Sequence, residues 1–158
     1  HVQNASSILF LLLAGIVFTY VMSVKTGDDI NVFIWISVVM FIFLGGPAII
    51  IHFNYYIVNK GCVFEYDHYE KEITITRNGQ YDSFHINDIE HMDRFMSYNL
   101  AANRSSFVSW DRYNHSVIYL NNGKKFTITS LLVPNLNLPI SEEKIKIKEG
   151  LYRLAKEN

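Results

Sequence analysis

The chain has 158 residues, enough for about one domain of ordinary size. Its formal net charge is −1, and basic and acidic residues balance from Lys60 onward, so it lacks the basic footprint typical of a nucleic-acid binder. Cys62 is its single cysteine, which excludes an intrachain disulfide and a zinc site built on several thiolates.

Two apolar runs dominate the first third of the sequence. Ile8–Val24 and Ile30–Ile51 contain no Asp, Glu, Lys or Arg. As helices, each is long enough to cross a hydrocarbon core about 30 Å thick. The runs therefore predict two transmembrane helices, at about residues 7–24 and 30–57. A short polar turn joins them into a hairpin, which we assign to a membrane domain over residues 1–58.

The second run contains a break in its second half. Gly45, Gly46 and Pro47 lie there; a proline removes one backbone hydrogen bond, and small residues allow helices to approach closely. We expect either that the helix is kinked here and packs against its neighbour, or that a partner helix docks at this position. No ionisable residue precedes His52 within the run, which argues against a transporter.

The flanks of the second run give its expected ends and orientation. Trp35 lies near its start, and Phe53, Tyr55 and Tyr56 lie near its end, where aromatic residues suit the membrane interface. The positive-inside rule, applied to Lys60 and the basic residues after it, favours chain ends and a following domain in the cytoplasm.

After Gly61 the apolar residues alternate with a period of two, which is typical of half-buried strands. About seven short antiparallel strands are predicted. Asn78-Gly79, between the second and third, predicts a tight hairpin turn. The predicted strands cover residues 63–66, 72–77, 80–86, 92–100, 107–110, 117–120 and 125–129.

The last segment is predicted to be an amphipathic helix. Ser141 is its expected cap, and Ile147, Leu151, Leu154 and Ala155 share one face at helical spacing. We expect this helix to close one end of a strongly bent sheet or barrel.

This order of elements resembles the pleckstrin-homology (PH) superfold, and in particular small bacterial membrane proteins in which two helices precede a PH-like domain, the YcxB-like group. The resemblance rests on the hairpin Ile73–Gly79, the strand end and turn Phe84–Ile89, the late hairpin Val117–Phe126 and the closing helix. It covers about Gly61 to Asn158 and implies a PH-like domain over residues 59–158. The implied fold class is an α+β membrane protein, with a bent antiparallel sheet or barrel closed by a C-terminal helix. The implied role is protein interaction or assembly.

The first hairpin turn departs from the inositol-lipid-binding members of that superfold, which carry a basic loop at this place. Here the turn contains Asp67, Glu70 and Lys71, which disfavours phosphoinositide binding. Lys124 and Lys125, together with the lysines of the last segment, remain candidate contacts for lipid headgroups.

Catalytic and metal-binding patterns are missing from the sequence. The histidines do not form a metal-ligand spacing, and the sequence contains no nucleophile elbow, phosphate-binding loop or assignable pair of carboxylates. We therefore expect a non-enzymatic protein without a metal or cofactor. The histidines are His1, His52, His68, His85, His91 and His115.

A cluster of aromatic and arginine residues is the best candidate for a partner-binding surface, because these types are enriched at interface hot spots. Alternate members of a strand must face the core, so about half of the aromatics are expected to be structural. The candidate residues are Arg94, Phe95, Tyr98, Arg104, Phe107, Trp110 and Arg112.

Three functions remain open at this point. The first is a multi-pass protein of the inner (cytoplasmic) membrane whose PH-like domain binds another protein, or a second copy of itself, at the bilayer surface. The second is recognition of lipid headgroups. The third is a membrane immunity protein or an accessory subunit of a larger complex, and none of the three involves nucleic acid.

Overall fold

The computed structural model describes residues 2–26, 30–105, 108–136, 138–151 and 153–156, with the backbone alone at residues 2–12, 30, 109 and 135. The helices are α1 (Val2–Thr26), α2 (Ile30–Asn59) and α3 (Tyr98–Ala101). The strands are β1 (Cys62–Asp67), β2 (Glu72–Arg77), β3 (Gln80–His85), β4 (Ile89–Met96), β5 (His115–Leu120), β6 (Lys125–Thr129) and β7 (Ile145–Glu149).

The chain divides into two compact units. The helical unit comprises residues 1–50 and 107–110, and so contains α1 and most of α2. The sheet unit comprises residues 51–106 and 111–158, and so contains the last turns of α2 and the seven strands.

Within the helical unit, α1 and α2 contact each other through small and hydroxylated residues. The Thr19 hydroxyl donates to the Gly15 carbonyl at 2.9 Å, and its oxygen lies 2.5 Å from the Ser37 hydroxyl. A Cβ on Gly15 would lie 4.0 Å from that of Ser37. Because Thr19 also approaches the carbonyl of Phe33, the order of contacts is that of antiparallel neighbours. The polar atoms of this contact are thus satisfied between the two helices.

Length and composition identify one candidate membrane span among the described residues. Asn31–Asn59 of α2 is long and apolar enough to cross a membrane, whereas Leu13–Thr26 of α1 is a shorter apolar helix. Many large apolar side chains of the helical unit are exposed. The exposed fraction is 69% for Trp35 and 70% for Phe43. The transmembrane hairpin itself stays a prediction.

The strands form two sheets. The first has the antiparallel order β1-β2-β3, and the second has the order β6-β5-β4-β7, in which β7 runs parallel to β4 and the other pairs are antiparallel. Asn78 and Gly79 adopt φ values of 51° and 84°, as a two-residue hairpin turn requires. The predicted hairpins 72–77 with 80–86 and 117–120 with 125–129 are therefore confirmed.

One apolar core lies between the two sheets. The rings of Phe84 on β3 and Phe126 on β6 stack with centroids 5.2 Å apart. Leu136 and Leu138 of the link before β7 complete the core. Its buried members are Ile73, Ile75, Phe84, Ile89, Met92, Ile118, Leu120, Ile128, Leu136 and Leu138.

The predicted helix after Ser141 is wrong. Residues 142–144 form one 3₁₀ turn, in which Ser141 makes no side-chain cap bond, and Ile145–Glu149 is strand β7. The alternation Ile145-Lys146-Ile147-Lys148 has the period of a strand, and the β-branched isoleucines favour that state. No closing helix follows in the described residues, and the two sheets do not join into a closed barrel.

Two predicted strands also need correction. The strand predicted at 92–100 ends at Met96, because the Ser97 hydroxyl accepts a hydrogen bond from the Leu100 amide at 3.2 Å and caps α3. In the strand predicted at 107–110, residue 107 lies outside the described residues, and Ser109–Arg112 is a 3₁₀ turn.

Candidate functional site

The last turns of α2 are an integral part of the sheet unit. Ile51, Tyr55 and Val58 are buried, and their spacing of four and three residues places them on one helix face. The Asn59 side chain donates to the Thr129 hydroxyl at 2.6 Å. This end of α2 therefore packs against β5 and β6, and Tyr55 does not serve as the interfacial aromatic residue that the sequence predicts. Tyr56, the next residue, is 58% exposed.

A buried hydrogen-bond network surrounds Tyr55. Its hydroxyl donates to the carbonyl of Arg153 at 2.9 Å and lies 3.0 Å from Nδ1 of His115. Because a hydroxyl has one proton to donate, Nδ1 of His115 must donate to the Tyr55 oxygen. Nδ1 of His52 and the Tyr113 hydroxyl make a second pair at 2.9 Å.

Residues 150–156, here called the strap (residue 152 lies outside the described residues), follow β7 without regular secondary structure. The Asn54 amide nitrogen donates to the Ala155 carbonyl at 3.1 Å, and the Asn54 oxygen accepts from the Ala155 amide at 2.8 Å. A single side chain of α2 thus pairs with both main-chain groups of one strap residue. At the other end of the strap, the Gly150 amide donates to the Met96 carbonyl at 3.1 Å.

The ring of Phe95 on β4 lies next to the strap and contacts three other side chains. Its ring stacks on His115 with centroids 4.7 Å apart and planes inclined by 12°. The Lys148 ammonium and the Arg153 guanidinium carbon lie 5.6 and 5.7 Å from the ring centroid, within the range of a cation–π contact. Lys148 also pairs with the buried carboxylate of Asp93 at 2.7 Å.

Burial and charge set the protonation of this region. Burial, with a smaller effect from the Arg153 charge, lowers the pKa of His115 to about 4, so the imidazole is neutral at pH 7. Burial also lowers the pKa of Arg94. The hydrogen bond to Asp93 raises the pKa of Lys148.

The structure places the predicted partner-binding residues in different environments. Phe95 and Arg94 are half-buried on β4, whereas Arg104 and Arg112 are exposed and Tyr98 is 55% exposed. Phe107 lies outside the described residues, and half-buried Trp110 belongs to the helical unit.

Hydrogen bonds connect the two segments that carry Tyr98 and Arg112. The Asn99 side chain donates to the Asp111 carboxylate at 2.7 Å, and the Ser97 hydroxyl donates to the Asp111 carbonyl at 3.2 Å. The exposed side chains beside these bonds are therefore held by a fixed backbone.

The glycines and proline of α2 have different environments. A Cβ on Gly45 would lie 2.9 Å from the ring of Phe41, whereas nothing lies within 4 Å of one on Gly46. Pro47 lies inside the helix without ending it. Gly45 thus makes room for a ring of its own helix, at the edge of an apolar groove of about 790 Å³ between α1 and α2.

The predicted lipid-contact residues lie at the β5–β6 turn. The Lys124 ammonium is 2.6 Å from the Asp82 carboxylate, at a polar cleft of about 280 Å³ that also includes Asp88. Lys125 is exposed. The carboxylates beside Lys124 offset its charge and reduce its attraction for an anionic headgroup.

The sequence pattern missed the residues that build the Tyr55 network and the strap contacts. The pattern did not identify Asn54 and Tyr55 because they follow directly on an apolar run. It did not identify Arg153 because the apolar residues of the last segment have a spacing that resembles a helix. The polar residues His52, Asn54 and Asn59, which directly follow the apolar run, were the available signal. No group of three or more His, Cys, Asp or Glu residues that could hold a metal occurs in the described part of the chain.

Comparison with known protein families identifies a match to this chain. A family model described as a PH domain matches residues 3–139, a range that includes α1, α2 and the strands β1 to β6. No curated protein and no solved structure matches the chain.

Proposed function

Because the chain belongs to the PH domain family, we propose that it is a non-enzymatic integral membrane protein that presents this domain for protein–protein interaction or assembly at the membrane surface. The observation that carries the proposal is the exposure of large apolar side chains along α1 and α2. Exposed patches of this kind mark membrane or protein contact.

The apolar exposure extends along both helices. Ile16 is 66% exposed, Val24 67% and Ile42 58%. Contact between these apolar side chains and water is unfavourable, whereas contact with lipid does not carry this cost. The hydroxyls of Thr19 and Ser37 bond to each other and to a backbone carbonyl, so this contact suits hydrocarbon surroundings.

The finer form of the proposal is a two-helix membrane hairpin followed by a cytoplasmic PH domain, as in the bacterial YcxB-like group. In this form the protein is multi-pass and resides in the inner membrane. The charge-free interior of α2 between residues 31 and 51 supports an anchor rather than a transport path.

Alkaline extraction of membranes from bacterial cells that express the full chain tests membrane integration. We expect the protein to stay in the pellet and to be released by detergent. Release at high pH would contradict integration. Crosslinking in the same membranes tests the interaction role, for which the expected result is a specific adduct to a partner or a second copy. A strictly monomeric chain that gives no adduct would contradict it.

Recognition of lipid headgroups is the second candidate. Lys124 lines a polar cleft and its neighbour Lys125 is exposed, while the contact of Lys124 with Asp82 makes this the weaker proposal. Short-chain phosphatidylserine, added to the detergent-solubilised full chain, should bind more tightly than short-chain phosphatidylcholine. Changing both lysines to Ala should remove the difference, whereas Lys60→Ala, at an exposed lysine outside the cleft, is the matched control. Equal affinity for the two lipids would reject this candidate.

A further inference from the structure

We propose that the groove formed by Asn54, Tyr55 and Phe95 is a binding site for an extended peptide, and that the chain's own strap occupies it in the free protein. This inference rests on the proposed interaction role and deepens it, because it names the chemistry of the partner segment. It does not depend on membrane integration.

The groove recognises main-chain groups. Asn54 donates to the Ala155 carbonyl and accepts from the Ala155 amide, and Tyr55 donates to the Arg153 carbonyl. These three bonds, between 2.8 and 3.1 Å, engage the backbone of the strap and would form with any extended segment in the same register.

Two strap side chains add selectivity. The Arg153 guanidinium carbon lies 5.7 Å from the Phe95 ring centroid, and this cation–π contact favours arginine at the position. Ala155 is 4% exposed, which leaves room for a small side chain alone. The groove therefore fits the pattern arginine, any residue, alanine.

Three other described strap residues point largely into solvent. Leu151 and Leu154 are 60% and 51% exposed, and Lys156 is exposed as well. Within residues 153–156, one alanine is buried and one arginine is partly buried, and a segment with so few buried side chains opens locally at low cost. The same segment from a second copy of this chain can then take its place.

Competition between the strap and the same segment supplied in trans tests this inference. The full chain in detergent is titrated with a labelled synthetic peptide of residues 150–158. Wild-type chain should bind it weakly, because its own strap competes at high effective concentration. Arg153→Ala in the chain loosens that strap, and we expect it to bind the peptide at least tenfold more tightly than wild type does. Leu154→Ala, which changes an exposed strap residue, is the matched control and should behave as wild type.

Changes in the peptide test the groove on one folded protein. With the Arg153→Ala chain, a peptide that has Arg153→Ala or Ala155→Leu should bind at least tenfold more weakly than the unchanged peptide. Equal affinity of the three peptides, or of the wild-type and Arg153→Ala chains, would overturn the inference.

Hydrogen exchange gives an independent measurement that needs no added peptide. The Ala155 amide, which donates to Asn54, should exchange faster in the Arg153→Ala chain than in wild type or Leu154→Ala. Undetectable peptide binding together with unchanged exchange would identify the strap as a fixed part of the fold. If crosslinking captures a partner while the peptide fails to bind, this inference alone fails and the interaction role stands.

Discussion

Two adjacent tyrosines near the end of α2 have opposite environments. Tyr55 is fully buried and its hydroxyl serves both Arg153 and His115, whereas Tyr56 is 58% exposed. A helix turns about 100° per residue, so neighbouring positions need not share a face. The two residues therefore form a natural pair for testing the network.

Tyr55→Phe should destabilise the protein by about 1–3 kcal/mol, because it removes the hydroxyl that bonds both the Arg153 carbonyl and Nδ1 of His115 in a buried site. Tyr56→Phe should change the free energy of unfolding by less than about 0.5 kcal/mol. Chemical denaturation of the two variants in the same detergent measures both values. Equal effects would mean that the Tyr55 hydroxyl does not hold the network together.

His115 should make stability depend on pH. Its pKa is about 4 in the folded protein and 6.5 when unfolded, so between these values the unfolded chain binds a proton that the folded chain does not. Stability contributed by the neutral imidazole is full above pH 6.5 and falls as the pH drops towards 4. The total loss is about 3 kcal/mol.

The measurement is the free energy of unfolding between pH 4 and pH 7. His115→Gln should remove the decline assigned to this residue, and His68→Gln, in the exposed β1–β2 turn, should leave it in place. An unchanged slope in His115→Gln would assign the acid sensitivity to other groups.

At the scale of elements, strong local sequence patterns were enough to predict part of the fold. The alternation in β2 and the Asn78-Gly79 turn fix a hairpin within twenty residues, and the structure agrees. Ile145-Lys146-Ile147-Lys148 supports either a lysine-rich helix or a strand, and its pairing with β4, far away in sequence, decides between them. The site depends on such distant contacts too, since Asn54 and Ala155 cannot be paired by any local signal.

The attachment of β7 to β4 gives a prediction at this scale. Lys148 bonds the buried carboxylate of Asp93, of which Oδ1 has no hydrogen-bond partner in the described residues. Lys148→Ala should leave that carboxylate without its cation and lower the melting temperature. Lys146→Ala, on the same strand and exposed, should have a smaller effect. Thermal unfolding measures both, and equal shifts would show that the Asp93 contact adds no stability.

At the scale of the whole molecule, the proposed membrane role depends on the outward faces of the two helices. Phe43 is 70% exposed near the centre of the apolar part of α2. Phe43→Arg should disfavour insertion by about 2.5–3.5 kcal/mol if lipid surrounds this position. The fraction of full chain that resists alkaline extraction should then fall.

Tyr69→Arg is the matched control for that experiment. Tyr69 is 95% exposed in the β1–β2 turn, so the same charge there should leave the extracted fraction unchanged. Equal extraction of the two variants would place Phe43 outside the lipid.

The parallel pairing of β4 with β7 has a consequence for biosynthesis. The hairpins β1–β2, β2–β3 and β5–β6 can form as soon as the ribosome has released them, because their strands are close in sequence. Strand β7 pairs with Met92 from about fifty residues further along the chain. Until residues beyond Ile145 have been translated, Asn54 and Tyr55 lack their main-chain partners. During translation the nascent chain thus has an uncovered polar surface on α2, which a chaperone or an assembly partner can contact before residues 153–155 have been synthesised.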